Sequence, residues 1–554
     1  MRLDITDHLA EALKDALTRA GLPSPESVLW EVPRDDRHGD YASNVAMTLA
    51  RAARQPPRKV AEAIVAHFPE TAAVERLEIA GPGFLNVFLR PRWYAEALGA
   101  ILEAGAAYGT SEVGKGKRYR LEFVSANPTG PLVIVNARAA AVGDALARIL
   151  RSLGSTVECQ YYVNDAGNQF QTLARSFEVR VRQALGEAVD LPEASYPGEY
   201  LVDLARDYVA REPAARAVLA LPEAERLERL GRYAAGEIVA RQRRVLDEYG
   251  TAFDRWIHET ADVRAAGLPE RAIEALARAG FTFEDDGALW FRSPELGDDK
   301  DRVLRKSDGE LTYFAVDIGF HHFCKFADAD CVIDFLGPDH HGYVARMRAA
   351  MEALGHPREA FDVIIVQLVT LLRDGQPVRM SKRRGEFVLM EELLEEVGRD
   401  AARFTFLTRR HDSPLEFDLA VATRQSTDNP VFYVQYCHAR VSSLRRNAVA
   451  LGLDLPPWTE VDFSPLTLAE EQTLIKRLLQ YPDLVAGAAR TREPHRVAYY
   501  LTELAGVFHP YYKAHRIITD DRALTLARLG LSTAVGQIVK NGLGLLGVSA
   551  PEGM

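Results

Sequence analysis

The stretch that decides the fold begins Arg118-Tyr-Arg-Leu-Glu-Phe-Val124, whose alternating polar and apolar side chains predict a half-buried strand. The loop Ser125-Ala-Asn-Pro-Thr-Gly-Pro131 follows, and its turn-forming residues interrupt regular structure. Residues 136–153 have the composition of a helix, and residues 156–163 that of a second strand. This order predicts a βαβ unit. Ligands of such sheets bind outside the carboxyl ends of strands, where helix N-termini attract anions. The loop is therefore predicted to hold a phosphate-bearing ligand.

The bulk composition is that of a soluble protein with several domains. The chain has 554 residues, of which 47% are hydrophobic and 26% charged, and its net charge of -11 argues against a protein coated by nucleic acid. No apolar run is long enough for a membrane span, and the N-terminus lacks the features of a signal peptide. Its four cysteines lack metal-type spacing and predict free thiols in a reducing cytoplasm.

The pattern along the chain predicts three domains. Residues 1–110 form a small α/β domain, and residues 117–400 alternate strands and helices as a doubly wound parallel sheet does. A charged, mostly helical insertion at about 173–300 interrupts the sheet. Residues 401–554 are nearly all helical. The predicted fold class is therefore α/β with an all-α C-terminal domain.

Short polar motifs follow the predicted strands. They are Tyr161-Tyr-Val-Asn-Asp-Ala-Gly-Asn-Gln169, Leu311-Thr-Tyr-Phe-Ala-Val-Asp317, Gly337-Pro-Asp-His-His-Gly-Tyr343 and Arg379-Met-Ser-Lys-Arg-Arg-Gly385. The flanking domains contribute His38-Gly-Asp-Tyr-Ala-Ser-Asn44, Gly81-Pro-Gly-Phe84 and Asp428-Asn-Pro-Val-Phe-Tyr-Val-Gln-Tyr436. In this order and spacing, the motifs resemble those of arginyl-tRNA synthetases, a class I aminoacyl-tRNA synthetase family.

The resemblance implies a Rossmann-type catalytic domain between an N-terminal domain that contacts the tRNA body and an anticodon-binding domain. The implied reaction is the ATP-dependent activation of L-arginine to arginyl-adenylate and its transfer to the terminal adenosine of tRNA(Arg). ATP is expected with Mg²⁺ held by its phosphates and without a dedicated protein metal site. The family also implies a cytoplasmic monomer.

The resemblance implies an acidic arginine pocket, which suits a planar cation with five donors. Glu122 and Asn127 are expected near the α-amino group of the substrate. Tyr313, Asp317 and Glu259 are expected to face the guanidinium, and Asn164 and Asp165 to line the same pocket. This acidity disfavours a class I synthetase of another specificity.

The resemblance also implies an ATP site with Lys382, Ser381 and Asn136 as its catalytic residues. Its members are Ser125, Pro128, Thr129, Gly130, Pro131, Val133, Asn136, Gly337, Asp339, His340, His341, Met380, Ser381 and Lys382. The lysine of Met380-Ser-Lys382 corresponds to the family's KMSKS loop, where it neutralises charge as pyrophosphate leaves. Asp339-His-His341 is interpreted as a pocket wall, because adjacent histidines rarely face the same metal ion.

The expected tRNA contacts are Asn44, Phe84, Asn429, Tyr433, Tyr436 and Arg440. Tyrosines offer stacking faces to single-stranded bases, and arginines bind phosphates. For Phe432 and Tyr436, one helical turn apart, packing in the core of a helical bundle is an equal alternative.

One motif departs from the family. Where the family carries the HIGH signature with two histidines, this chain has Val133-Ile-Val-Asn136. One hypothesis is a catalytically impaired paralogue that binds tRNA. The other is an active enzyme in which Asn136, helix-start N–H groups, Lys382, nearby arginines and magnesium stabilise the phosphates. The retained pocket residues favour activity, since an inactive protein has no need of them.

Overall fold

The computed structural model describes residues 5–25, 28–33, 36–212, 214–378 and 388–554. The predicted loop residues Met380, Ser381 and Lys382 lie outside these ranges, as does the side chain of His341. No helix of the described residues is both long and apolar enough to cross a membrane.

The N-terminal region is a small α/β domain. Its elements, and the helix that leads out of it, are α1 Ile5–Arg19, β1 Tyr41–Ser43, α2 Val45–Ala53, α3 Pro57–His67, β2 Val74–Ala80, β3 Phe84–Leu89 and α4 Pro91–Ala104. The strands form an antiparallel sheet in the order β1-β3-β2. Helix α1 places Leu9, Leu13 and Leu17 in the core, because side chains four residues apart share one helix face.

The central region contains the strands and helices of a doubly wound fold. In chain order they are β4 Arg118–Glu122, α5 Ile134–Ser152, β5 Thr156–Val163, α6 Gly167–Ala184, α7 Glu199–Arg211, α8 Ala215–Leu219, α9 Glu223–Glu248, β6 Arg255–His258, α10 Leu268–Arg278, β7 Thr282–Asp285, β8 Ala288–Phe291, β9 Arg302–Arg305, α11 Tyr313–Phe320, β10 Cys331–Leu336, α12 His341–Ala353 and β11 Phe361–Ile365. The predicted βαβ unit is confirmed as β4-α5-β5.

The main sheet is parallel, with the strand order β11-β10-β4-β5-β6. The chain starts in the middle at β4, proceeds to one edge and then returns to form the other half. This creates a switch point between β4 and β10, where ligands of such sheets bind. Helix α5 packs closely on the end of β4, because a Cβ on Gly143 would lie 2.4 Å from the ring of Phe123.

The segment predicted as one insertion, about 173–300, is divided in the structure. Helices α6 to α9 lie between β5 and β6, but β6 itself pairs with β5 in the main sheet. A separate antiparallel sheet, β7-β8-β9, follows before the chain returns to β10. The sequence pattern missed β6 because a strand of four residues carries too little periodicity.

The C-terminal part begins with a second small sheet and continues as a helical bundle. Its elements are β12 Val369–Arg373, β13 Gln376–Pro377, α13 Met390–Val397, α14 Arg399–Phe406, β14 Leu415–Asp418, α15 Leu419–Thr423, α16 Pro430–Ala450, α17 Ala469–Leu479, α18 Tyr481–Thr491, α19 His495–Ala514 and α20 Arg522–Leu545. Strand β14 pairs in parallel with β12. The range 401–554, predicted as all-α, therefore includes one strand that belongs to a sheet begun before residue 400.

A buried arginine joins the central and C-terminal parts. Arg403 on α14 has no exposed surface and forms an ion pair with Asp144 on α5. Its Nε donates to the carbonyl oxygen of Leu546 at 3.0 Å, and its Nη1 donates to Thr251 Oγ1 at 3.1 Å. One side chain thus ties α5, the segment after α9 and the end of α20 together.

Candidate active site

The loop after β4 starts with an unusual backbone turn. Val124 and Ser125 have φ of 70° and 36°, values that residues other than glycine seldom adopt. The turn is held in place from β5, because the N–H of Tyr162 donates to Ser125 Oγ at 3.0 Å. The N–H of Ala126 donates to the hydroxyl of Tyr161 at 3.1 Å. Backbone strain that the surroundings hold in this way is typical of functional sites.

The rest of this loop is held by the helices between β5 and β6. Gln242 on α9 donates to the carbonyl oxygens of Asn127 at 3.2 Å and Gly130 at 2.8 Å. The Tyr200 hydroxyl on α7 donates to the carbonyl oxygen of Thr129. These hydrogen bonds are all to backbone carbonyl oxygens of the predicted ATP loop. The side chain of Asn127 remains exposed.

The start of α5, where Val133 and Asn136 replace the HIGH histidines, is occupied by the chain itself. The N–H of Val133 donates to Asn136 Oδ1 at 2.9 Å, and the N–H of Ile134 donates to the carbonyl oxygen of Val388 at 3.3 Å. These two N–H groups are therefore not free for a phosphate. Because Asn136 Oδ1 accepts from Val133, the Nδ2 of Asn136 is turned away from it and remains a donor.

The same region contacts residues 388–390, the first residues described after the segment of Met380-Ser-Lys382. Leu389 forms a bridge with Val133, and the N–H of Met390 donates to the carbonyl oxygen of Leu132 at 2.9 Å. Arg138, fully buried one turn into α5, donates to the carbonyl oxygens of Gln367 at 2.8 Å and Ser413 at 2.8 Å. The helix start is therefore fixed to the segments that flank β12 and β13.

The predicted carboxylates gather at the carboxyl ends of the parallel strands, but most already have partners. Glu122 at the end of β4 contacts Lys325 Nζ at 2.5 Å. Glu259, which follows β6 and is buried, accepts from Arg264 Nε at 2.6 Å. In the orientation that satisfies its neighbours, the amide nitrogen of Asn164 donates to the second oxygen of Glu259 at 3.2 Å.

Asp165 joins two strand ends. Its Oδ2 accepts from His258 Nδ1 at 3.0 Å, and its Oδ1 accepts from the N–H of Thr260 at 2.9 Å. Both carboxylate oxygens therefore bind groups of the chain, and they hold the end of β5 to the end of β6. Asp165 lies just after the end of β5, and its expected role in lining the arginine pocket stays a prediction.

Asp317 on α11 differs from the other carboxylates. Within the described parts of the chain, no side chain forms a hydrogen bond or ion pair with its carboxylate, although its backbone carbonyl accepts from His321 Nδ1 at 2.7 Å. Burial raises the pKa of Asp317 to about 6; the charges of Glu122 and Glu259 add to this rise, while those of His321 and Lys325 oppose it. A partly buried carboxylate that forms no ion pair with a described side chain is a strong candidate for binding a cationic ligand.

Two tyrosines complete the pocket. Tyr313, at the start of α11, is 57% exposed, and its hydroxyl lies 2.7 Å from the position of a Cβ on Gly167, which has φ of 73°. A side chain at Gly167 would therefore be strained and would displace the Tyr313 hydroxyl. Burial raises the pKa of Tyr343 well above its usual value, and the carboxylates of Asp317, Asp334 and Glu122 add to the rise. Tyr343 therefore faces the acidic pocket.

The segment after β10 forms an exposed wall. His340 Nε2 lies 3.5 Å from Asp339 Oδ2, and both side chains are largely exposed. A Cβ on Gly337 would lie 2.7 Å from Asp339 Oδ1, so glycine permits this turn. Within the described residues, no three His, Cys, Asp or Glu side chains converge as metal ligands.

The predicted tRNA contacts fall into an exposed and a buried group. Asn44 and Phe84 are exposed on the N-terminal domain. On α16, Arg440 lies over the rings of Tyr436 and Tyr512, 4.5 and 4.8 Å from their centroids. We call the half-buried group of Tyr433, Tyr436, Arg440, His509 and Tyr512 the aromatic cluster.

His509 links the two helices of the aromatic cluster. Its Nε2 donates to the carbonyl oxygen of Tyr433 at 3.1 Å, and its Nδ1 accepts from Arg440 Nη1 at 2.8 Å. Phe432 stacks on Tyr436 with ring centroids 5.9 Å apart, and neither ring is fully buried. Asn429, by contrast, is 4% exposed and donates to the carbonyl oxygens of Ala422 and Arg424 at 2.9 Å. It holds the chain before α16 and does not face outward.

Sequence reasoning missed Lys325, Arg264, Gln242 and Tyr343. Lys325 and Arg264 lie in single π-helical turns, His321–Lys325 and Glu259–Arg264, which follow predicted site residues. Such turns often occur at functional sites. Of these four residues, Tyr343 could have been found from the sequence, since it is the last residue of the motif that begins at Gly337.

Comparison with known proteins identifies each part of the chain. Residues 4–89 match the family model for the arginyl-tRNA synthetase N-terminal domain, residues 97–417 that for the class I (R) tRNA synthetase catalytic domain, and residues 434–554 that for the DALR anticodon-binding domain. Two curated relatives are each named arginine–tRNA ligase and are 47% identical. The one from Symbiobacterium thermophilum is covered to 99% by a match over 99% of this chain, and the one from Syntrophotalea carbinolica to 100% over 100%.

Solved structures agree with this identification. The arginyl-tRNA synthetase of Thermus thermophilus superposes with a TM-score of 0.77 at 25% identity, over 99% of this chain and 100% of that one. A Mycobacterium tuberculosis methionyl-tRNA synthetase covers 79% of this chain and 92% of its own length, with a TM-score of 0.55 at 14% identity, and so shares the fold alone.

Proposed function

The chain belongs to the class I arginyl-tRNA synthetases, and we propose that it selects its amino acid through the unpaired carboxylate of Asp317. It activates L-arginine with ATP and attaches it to tRNA, the reaction of its curated relatives. The observation that carries the proposal is the contrast within the pocket. Glu122 and Glu259 each form an ion pair within the chain, whereas Asp317 forms none among the described residues.

In this proposal the guanidinium of arginine supplies the missing cation. It pairs with Asp317 and lies beside Tyr313, with Tyr343 as a further wall. Glu259 and Asn164 act behind this pair as a hydrogen-bonded support, because Arg264 already neutralises the glutamate. The α-amino group extends toward Glu122 and Asn127, at the end of β4 and in the loop that follows it.

ATP lies on the loop of Ser125, Pro128, Thr129, Gly130 and Pro131, beside Val133 and Asn136, and against the wall of Gly337, Asp339, His340 and His341. The carboxylate of arginine attacks the α-phosphorus, and the bond from this phosphorus to the oxygen that bridges it to pyrophosphate breaks. The products are arginyl-adenylate and pyrophosphate. The reaction needs no covalent enzyme intermediate, so catalysis consists of positioning and charge stabilisation.

The Nδ2 of Asn136 donates to the phosphates in place of a HIGH histidine. The fixed direction of this donor supports the assignment, since Oδ1 is held by Val133. Lys382, with Ser381 and Met380, neutralises the leaving pyrophosphate. Mg²⁺ enters with ATP as part of the substrate and is held by the phosphates. The full-length similarity to arginine–tRNA ligases gives no support to the alternative of an impaired paralogue.

Transfer of arginine requires the tRNA to reach from its anticodon to the active site. We assign residues 1–110 to the tRNA body, with Asn44 and Phe84 as contacts, residues 117–400 to catalysis and residues 401–554 to the anticodon. The aromatic cluster on α16 and α19 supplies the stacking faces and a cation for the anticodon loop. Asn429 supports this surface from below.

We also assign the enzyme to the cytoplasm, as a monomer. The four cysteines carry free thiols, which a reducing compartment maintains.

The proposal is tested by the amino-acid specificity of ATP–pyrophosphate exchange in the presence of tRNA. Arginine is expected to support exchange, whereas citrulline, which has the same shape without the positive charge, is expected to fail. Equal exchange with both amino acids would contradict a pocket that works by charge.

A further inference from the structure

A fully buried lysine lies directly beneath the proposed arginine pocket. Lys325 has no exposed surface, and its Nζ lies 2.5 Å from Glu122 Oε2 and 2.5 Å from Asp334 Oδ1. Glu122 and Asp334 are opposite each other in the register of β4 and β10. Two carboxylates opposite each other on adjacent strands repel each other, and the ammonium of Lys325 between them offsets the repulsion.

The lysine is held at both ends. Arg120, two residues before Glu122 on β4, donates through Nη1 to the carbonyl oxygen of Lys325 at 2.8 Å. His321 lies 2.7 Å through Nε2 from Asp334 Oδ2, and 3.0 Å from Lys325 Nζ. The π-helical turn His321–Lys325 therefore connects α11, which carries Asp317, to β4 and β10.

The charge of this lysine is secure. Burial lowers the pKa of Lys325, but the carboxylates of Asp334 and Glu122 outweigh that effect and raise it above its usual value. Lys325 and its partners also hold the pKa of Asp334 below its usual value against the effect of burial. Lys325 and Asp334 therefore stay charged although both are buried.

We propose that Lys325 is a positioning residue that orients Glu122, so that the second carboxylate oxygen of Glu122 receives the α-ammonium group of arginine. The inference rests on the proposed function, which places Glu122 at that end of the substrate. Lys325 touches neither substrate nor ATP in this arrangement. The two ends of the pocket therefore differ in charge. The lysine balances the charge of Glu122, whereas the charge of Asp317 is balanced when the guanidinium binds.

A substrate analogue without the α-amino group tests this role. The probe is 5-guanidinopentanoate, measured as a competitive inhibitor of arginine in ATP–pyrophosphate exchange with tRNA present. Lys325→Met is expected to raise the arginine KM about tenfold or more, the size of a lost charged hydrogen bond. The inhibition constant of the analogue and the KM of ATP are expected to stay within about twofold, because neither involves the α-ammonium.

A second variant covers the case in which Lys325→Met fails to fold. Lys325→Met with Asp334→Asn removes one positive and one negative charge, so the buried net charge is unchanged. It is expected to raise the arginine KM without changing the analogue constant, and Asp334→Asn alone, which keeps the pair of Lys325 with Glu122, is expected to raise it less. Lys115→Met, at an exposed lysine paired with Glu112, is the matched control and should leave the arginine KM unchanged.

Two results would overturn parts of this account separately. If the wild-type enzyme binds arginine and the analogue equally well, Glu122 does not meet the α-ammonium and the proposed pocket is wrong at that end. If the wild-type enzyme distinguishes them, but the Lys325 variants weaken both ligands equally, the lysine is only structural and the inference fails.

Discussion

Removing the charge of Asp317 should weaken arginine binding sharply. Asp317→Asn keeps the shape of the side chain, but it takes away the one pocket carboxylate that has no partner among the described residues. A hydrogen bond to a charged group contributes about 1.5–3 kcal/mol, and about 1.4 kcal/mol corresponds to a factor of ten. The arginine KM in ATP–pyrophosphate exchange should therefore rise by about 10- to 150-fold, with little change in the KM of ATP.

The pH dependence gives a second and independent reading of the same carboxylate. Burial raises the pKa of Asp317 to about 6, and the bound guanidinium favours its ionised form. Arginine binding should therefore be strong above pH 6 and weaken as the pH falls below it, with the KM rising about tenfold per pH unit. The Asp317→Asn variant should lack this dependence between pH 5 and pH 7, because its amide does not titrate.

The matched control is Glu310→Gln, a neutralised carboxylate near the start of α11 that is exposed and paired with Lys306. It should leave both the arginine KM and the pH profile unchanged. An arginine KM for Asp317→Asn within about twofold of the wild-type value would refute the assignment of the guanidinium to Asp317. So would an unchanged pH profile in that variant.

Four further substitutions test other parts of the molecule. Lys382→Ala should slow pyrophosphate exchange at saturating arginine and ATP and leave the Kd for tRNA unchanged; the reverse result would make this loop an RNA contact. Arg440→Ala and Tyr433→Ala should both weaken tRNA binding in a filter assay, and only the arginine change should reduce its salt dependence; unchanged affinity at low and high salt would assign the aromatic cluster to the core. Arg403→Met should lower the free energy of unfolding in urea by about 3 kcal/mol, because Asp144 loses its buried ion pair with Arg403. A loss under about 1 kcal/mol would contradict the role of Arg403 at the domain junction.

The sequence predicted the elements that have strong periodicity. The alternation in residues 118–124 and the helical composition of residues 136–153 were sufficient for β4 and α5. Strands β6 and β14 were missed, because each has four residues and pairs with partners distant in the chain. Such pairing depends on tertiary contacts that local propensity does not contain.

The sequence predicted that polar side chains gather at one edge of the sheet, but not how those side chains pair. The motifs correctly indicated that polar residues collect at the carboxyl ends of the parallel strands. Which carboxylate remains free depends on cations from other segments, such as Lys325 for Glu122 and Arg264 for Glu259. No spacing rule connects those pairs, so the distinction between Asp317 and its neighbours required the structure.

Which donors near the start of α5 are free to take the place of the HIGH histidines also could not be read from the sequence. The sequence left helix-start N–H groups and Asn136 as possible donors to the phosphates. Val133 and Ile134 bind groups of the chain through their N–H, whereas Asn136 accepts through its oxygen and keeps its Nδ2. The two possibilities differ by hydrogen bonds that form only after the chain has folded.

The most direct test of the central claim is arginine-dependent ATP–pyrophosphate exchange by the wild-type chain, measured with and without tRNA. The claim is that a synthetase with Val133-Ile-Val-Asn136 in place of the HIGH signature still activates arginine. The account predicts exchange with arginine in the presence of tRNA, and none when citrulline replaces arginine. An absence of exchange in both conditions, with tRNA binding intact, would contradict it.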